Sequence, residues 1–292
     1  MTARRGGWTV RRVTRLGFLA SLGTALFVLE SLVPLPLPFM KVGFANISTL
    51  VALIVSGPAD ALIVVFLRVL AGSLVTGSFL GPSFILAMAA GVASAAVMGG
   101  VRAVTGNVFG PVGVSLAGST AHVSTQLALV ALLYVRSAAV MQILPVLLIT
   151  ALGGGLVVGF ITMRLLPALG ASGKLTPWDV VLGSVLCACV VASFVALPSG
   201  EGSTVLVDVA GVTVEKLDLR EDREIDVRGT AGTLRIEVRD GAVRVADAGC
   251  PNRVCMRTGW RRREGEVIVC VPNRTVIRIT GSQHREVGGI TG

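Results

Sequence analysis

Seven apolar runs, at residues 16–34, 42–56, 60–79, 83–103, 112–135, 140–166 and 179–197, limit this chain more than any other feature. A helix needs about 20 consecutive apolar residues to cross a hydrocarbon core, and most of these runs reach that length. The second is the shortest and reads as tilted or partly re-entrant. Gly- and Pro-rich breaks separate the runs, among them "SGP", "LGPS" and "TGNVFGP". A hydrophobic share of 53% over 292 residues is too high for an ordinary soluble domain. The expected fold is therefore an α-helical membrane bundle of six spans plus one anchoring span, followed by a small all-β extracytoplasmic domain.

Charge divides the chain at the same place. Residues 1–197 hold 11 Lys/Arg but three acids, Glu30, Asp60 and Asp179, whereas the last 95 residues hold 15 basic and 14 acidic side chains. The net charge of +9 thus arises in the flanks of the spans, which speaks of membrane orientation and against nucleic acid as a partner. With the N-terminus inside, Arg4, Arg5, Arg11, Arg12, Arg15, Arg102, Arg164 and Lys174 fall in cytoplasmic loops, against Lys41 and Arg136 outside. Seven crossings then put the tail outside the cell membrane. The N-terminal run carries no small-residue cleavage site and is expected to stay as the first helix.

Past residue 198 the apolar period shortens to two. Segments such as "STVLVDV", "EIDVRG", "TLRIEVRDGAVRVAD", "GEVIVCV" and "TVIRITG" alternate and are rich in Val and Ile. They predict about seven strands, with Asp240-Gly241 as a hairpin turn. The expected boundaries are 1–172 for a six-span domain, 173–198 for the seventh span and 199–292 for the β domain.

Polar groups inside apolar spans are the candidate binding residues, because burying an ionisable side chain there is costly unless it is paired or faces a cavity. Arg68 lies mid-span, Glu30 near the end of the first run, Lys41 and Asn46 at the start of the second, and His122 and Gln126 four apart in the fifth. They are expected to line a ligand cavity; the plainer alternative is an Arg68–Glu30 pair that holds two helices in register. The small-residue runs permit close helix contact, and Cys187 and Cys189 within the seventh span are expected to pack inertly.

Three cysteines in the tail, Cys250, Cys255 and Cys270, match neither a CxxC zinc half-site nor a CxxCH haem attachment. Outside the cytoplasm two of them would form a disulfide staple for a domain short of core. The other readings are a redox trio that exchanges partners, or thiolate ligands of a metal centre completed from elsewhere. Arg253, Arg257 and Arg261 to Arg263 favour thiolate character, the alternatives for them being a solvated face or contact with anionic headgroups.

Two resemblances cover nearly the whole chain. The stretch from Glu30 to Leu53, with "RVLAGSL" around Arg68 and "GVSLAGSTAHVSTQ" around His122, resembles the Gx transporter family, also labelled heptaprenyl diphosphate synthase component I. That family is similar to the substrate-binding membrane subunits (S-components) of energy-coupling-factor vitamin transporters. The tail, with "CPNRVC" and "CVPN", resembles NusG domain II. Members of both families occur side by side in flavin-based extracellular electron transfer systems, so the resemblance implies a fusion of that pair.

The resemblance implies a transporter or small-molecule binder with an external redox-type cysteine domain, linked to electron transfer or to quinone and isoprenoid metabolism. Its ligand would be hydrophobic or vitamin-like, its cofactor a non-covalent quinone or flavin, and its partners lipid and an energy-coupling module or electron-transfer proteins. The alternative is a non-catalytic assembly or anchoring protein whose β domain docks a redox partner. The bundle carries no DDxxD pair to hold magnesium and diphosphate, so prenyl-transfer catalysis is not expected, and no SGAT-like sequence points to covalent flavin.

Overall fold

The computed structural model describes residues 8–32, 43–197, 200–250 and 253–281. It divides into two compact units. The first comprises residues 1–34, 41–126 and 147–190; the second comprises 35–40, 127–146 and 191–292.

The helical unit is built from α1 (Val10–Leu32), α2 (Asn46–Ser56), α3 (Pro58–Val75), α4 (Pro82–Thr105), α5 (Pro111–Leu129), α6 (Leu144–Leu165) and α7 (Pro177–Val195). Among the described residues six helices are long and apolar enough to cross a membrane, and α2 is a shorter apolar helix. The chain is therefore a multi-pass membrane protein whose outer helix faces meet lipid. Its punctuation is local and readable: Pro58, Pro82, Pro111 and Pro177 each open a helix, where a missing N–H costs nothing.

Eleven residues of α2 cover only about 16 Å, roughly half of a hydrocarbon core. Its burial explains how so short a helix is held. Ile47 to Leu53 are all buried, so α2 is enclosed on every side, and its apolar residues form the centre of a cluster that includes Leu16, Leu19, Ala61, Val64, Met98, Val114 and Val158. Polar contacts fix its direction. Near the start of α1, Arg15 reaches Ser56 at the end of α2 (3.1 Å), and Arg12 Nε bonds Asp60 in the first turn of α3 (3.0 Å). Near the end of α1, the Glu30 carboxylate accepts the Phe44 N–H just before α2. The short helix thus brings the chain back from the far end of α1 to its start, and α3 sets off parallel to α1.

A second polar anchor joins α5 to α7. Thr176, Pro177, Trp178 and Asp179 form a capping box: Asp179 Oδ2 accepts the Thr176 N–H at 2.9 Å, and the Asp179 N–H reaches Thr176 Oγ1 at 3.3 Å. The other carboxylate oxygen accepts Gly110 N–H (2.8 Å) and Gly113 N–H (3.0 Å) at the start of α5. One buried carboxylate therefore satisfies orphan donors of two helices and opposes the positive end of α5. Gly110 and Gly113 leave it room, since a Cβ at either position would run into the carboxylate.

Among its described residues the second unit holds seven strands, β1 (Thr204–Val209), β2 (Val212–Asp218), β3 (Arg223–Arg228), β4 (Thr233–Arg239), β5 (Ala242–Ala248), β6 (Val267–Cys270) and β7 (Thr275–Thr280), and a short helix, α8 (Val254–Arg257). They form two antiparallel sheets, ordered β2-β1-β7-β6 and β3-β4-β5. The alternating residues Val205, Val207, Leu234, Ile236, Val238, Ile277 and Ile279 point into a shared core. Asp240 and Gly241 both have positive φ, 50° and 68°, as the expected tight hairpin turn between β4 and β5 requires. The connection between α5 and α6 belongs to this unit: a π-helical turn (Val130–Val135) and a 3-10 turn (Ala138–Ile143), the latter touching β6 and β7.

Candidate functional site

In the helical unit the candidate residues gather on Arg68. The guanidinium is 3% exposed, and its Nη2 donates to Asn46 Oδ1 at 2.7 Å. Glycines give it passage: a Cβ at Gly23 of α1 would press on the Arg68 stem, and Gly91 of α4 faces Nη2. Arg68 Nε has no hydrogen-bond partner among the described residues, and neither do Thr49 Oγ1 and Ser94 Oγ. Thr49 lies one turn beyond Asn46 on α2, and Ser94 one turn beyond Gly91 on α4, so both stand on the faces that flank the guanidinium. The plainer alternative pairs Arg68 with Glu30; Arg68 donates to Asn46, and Glu30, which accepts the Phe44 N–H ahead of α2, contributes its charge to the surroundings of Arg68.

His122 and Gln126 share one face of α5; Gln126 is buried and His122 half-buried. Lys41 lies outside the described residues. Cys187 and Cys189 are exposed on the surface of α7, not packed within the bundle, because α7 turns most of its circumference outward.

The second cluster is in the β unit. Cys250 follows β5, Cys255 sits on α8 and Cys270 ends β6; all three are free thiols, 3%, 1% and 4% exposed, in the hydrophobic core. Their sulfurs lie within 4.8 Å of one another, and those of Cys250 and Cys270 are 3.7 Å apart. Asn273, fully buried, donates from Nδ2 to Cys270 Sγ at 3.4 Å and accepts the Ala231 N–H at 2.9 Å through Oδ1. These neighbours separate the three acidities. The Cys255 thiol donates to Cys270, which raises the pKa of Cys255 and holds that of Cys270 down to about 6 against the opposing effect of burial. Burial raises Cys250. The cluster therefore carries its thiolate character on Cys270.

Glu266 accepts the backbone N–H groups of Arg262 and Arg263 (both 2.8 Å) and pairs with the Arg261 side chain, while Arg244 lies 4.6 Å over the Trp260 ring and bonds Glu237. Within the basic run expected to act on the thiols, the Arg261 charge is thus held by Glu266.

Residues 19–165 match the family described as heptaprenyl diphosphate synthase component I. The chain belongs to that family. Residues 180–283 match NusG domain II, so the two-part architecture read from the quoted motifs holds. The curated relative found is an uncharacterized protein of Treponema pallidum, 37% identical over 68 residues, which are 23% of this chain and 47% of the relative. The chain thus spans about half the length of the curated relative it matches. Among solved structures, a DUF1312 family protein from Ruminococcus gnavus is similar at 28% identity, covering 27% of this chain and 99% of that one, with a TM-score of 0.25. A DUF1312 family protein from Enterococcus faecalis gives 26% identity, 27% and 98% coverage and a TM-score of 0.26. A Listeria innocua protein gives 20%, 28% and 99%, with a TM-score of 0.27.

Asp179 and Asn273 were both missed in the sequence. The signal for Asp179 was present in "TPWD", a Ser/Thr-x-x-acid pattern directly ahead of an apolar run.

Proposed function

We propose that this chain is an S-component-like membrane protein that binds a small molecule through the Arg68 cluster and acts in transport linked to extracellular electron transfer or to quinone and isoprenoid metabolism. The observation that carries this reading is a guanidinium 3% exposed, in an apolar bundle, with one nitrogen bonded to Asn46 and Nε unpartnered. A charge kept there at such cost is suited to the carboxylate, carbonyl or phosphate oxygens of a ligand. Glu30, Asn46, Arg68, His122, Gln126 and Lys41 are the assigned ligand residues, and a quinone or flavin bound without a covalent link is the assigned cofactor class. The β domain contributes the thiols Cys250, Cys255 and Cys270.

The orientation has the N-terminus inside the cell membrane and the β domain outside. It is supported by the return path of α2, which restores the alternation of crossings, and by the basic residues that then fall on the inner side. The division into a six-span domain (1–172), a seventh span (173–198) and a β domain (199–292) belongs to the same reading, with an energy-coupling module or electron-transfer proteins as partners.

The test is thermal unfolding of the detergent-purified chain against a panel of flavins, menaquinone analogues and vitamins. A ligand at one hundred times its Kd stabilises by about 2.7 kcal/mol. Stabilisation lost in both R68A and N46A supports the site; stabilisation unchanged in both removes it.

A second reading, an assembly protein whose β domain docks a redox partner, is favoured by the edge strand β2, which leaves Val212 and Val214 exposed at 65% and 47%. Co-purification of a partner that V212D/V214D abolishes, without a bound small molecule, would select it.

A further inference from the structure

We propose that Cys250, Cys255 and Cys270 form a three-thiolate site for a thiophilic closed-shell metal ion, Cu(I) or Zn(II). This rests on reading the three cysteines as one chemical unit, and it specifies what the unit holds when reduced.

Three separate pieces of chain, the residue after β5, the helix α8 and the end of β6, each bring one sulfur to a common point. Metal–sulfur bonds of about 2.3 Å put neighbouring thiolates about 3.8 Å apart in a tetrahedral site and about 4.0 Å apart in a trigonal one. The Cys250–Cys270 separation of 3.7 Å and the upper limit of 4.8 Å bracket those edges. Sub-ångström side-chain movements would close the set around an ion. Oxygen donors are missing from the trio, which favours soft ions over calcium or magnesium.

Asn273 supplies an independent observation. Its amide is fixed by the bond from Ala231 N–H and its N–H is directed at Cys270 Sγ. Such an outer-shell donor orients a thiolate ligand and tempers its charge. Packing alone does not call for it, since a cysteine that only fills space needs no donor aimed at its sulfur.

Burial decides between this site and a disulfide relay. Exchange with a partner protein requires an attacking thiolate to reach a sulfur. Here the three sulfurs belong to residues 1–4% exposed, beyond the reach of a macromolecular thiol but accessible to a single ion through a local opening. Binding exchanges the remaining thiol protons for metal–sulfur bonds and releases those protons to solvent. No electrons change hands. Three thiolates suffice for trigonal Cu(I), whereas Zn(II) would take a solvent molecule as its fourth ligand.

The experiment uses the full chain, purified in detergent and reduced without oxygen. It is equilibrated separately with Zn(II) and with Cu(I) under a competing chelator, then desalted and analysed for metal per chain. One ion per chain is expected, with Cys250, Cys255 and Cys270 more strongly protected from iodoacetamide than in the metal-free chain. C270S should weaken retention by more than about a hundredfold, and N273A by about tenfold or more. Retention by one ion alone identifies the metal.

Co(II) is also added to the wild-type chain, a readout that does not depend on the folding of the serine variants. An intense thiolate-to-cobalt band in the near ultraviolet is expected, and its absence from folded wild-type protein would overturn the proposal. So would metal retained equally by C270S, or lost in C187S/C189S. Failure here alongside ligand stabilisation that depends on Arg68 removes the metal site alone; the reverse pattern removes the small-molecule site alone.

Discussion

Replacing Asp179 with alanine tests the helical unit where one side chain does the most. Two α5 backbone donors, Gly110 N–H and Gly113 N–H, are buried against Oδ1, and Oδ2 closes the capping box of α7. A hydrogen bond to a charged group is worth about 1.5–3 kcal/mol net, and donors left buried without a partner keep their desolvation penalty. Loss of a cap adds about 1 kcal/mol. Taking the low end for the two α5 bonds and adding the cap gives a cost of about 4 kcal/mol for D179A. D179N keeps an oxygen for α5 but turns an amide N–H₂ toward the Thr176 N–H, so about 1–2 kcal/mol is expected. The assay is equilibrium unfolding in mixed detergent micelles. G113A should destabilise by pushing a methyl group into the same carboxylate, and its effect should be less than additive with D179A. D179A within 1 kcal/mol of wild type, or D179N as costly as D179A, would refute the reasoning.

Three further outcomes are expected. R68K should retain the charge but lose the planar fork that meets Asn46 while leaving Nε free, so ligand-dependent stabilisation should fall at least tenfold in apparent affinity with little change in unliganded melting temperature. Glu266 is pushed up by burial, but the N–H groups of Arg263 and Arg262 and the Arg261 charge bring it below the usual carboxylate range. A depressed acid stabilises the fold above its unfolded pKa, and that contribution is lost as pH falls through the folded value; E266Q should therefore lower the β-domain melting temperature at neutral pH, flatten the acid limb of the profile and converge on wild type at low pH. In metal-free protein the ultraviolet absorbance of one thiolate should appear with a midpoint near 6, and C270S should remove it.

Much of the fold was legible because it rests on periods. The long spans and all seven strands follow from runs and alternations within a few residues, and the Asp240-Gly241 turn from a backbone requirement that a dipeptide meets. The site was legible in composition but not in arrangement. Arg68 stands out in any reading of the third run, yet its bond to Asn46 depends on α2 returning beside α1, a tertiary event that no local pattern encodes. The same holds for the thiols: spacings of five and fifteen residues say nothing about convergence until β5, α8 and β6 are laid side by side. Conversely, the basic run 261–263 looked chemical because of its charge, and the Arg261 member of it is paired with Glu266.

The carboxylate shared by α5 and α7 has a bearing on how the chain is made. Synthesis runs from the N-terminus, so the start of α5 enters the membrane well before Asp179 exists. Until α7 arrives, Gly110 and Gly113 must satisfy their N–H groups with water or lipid headgroups at the interface. The bundle is thus left open at one corner through most of its biogenesis and closes when its last helix docks. That helix leads directly into the β domain, so the step that completes the membrane half comes immediately before the thiol-bearing half is synthesised.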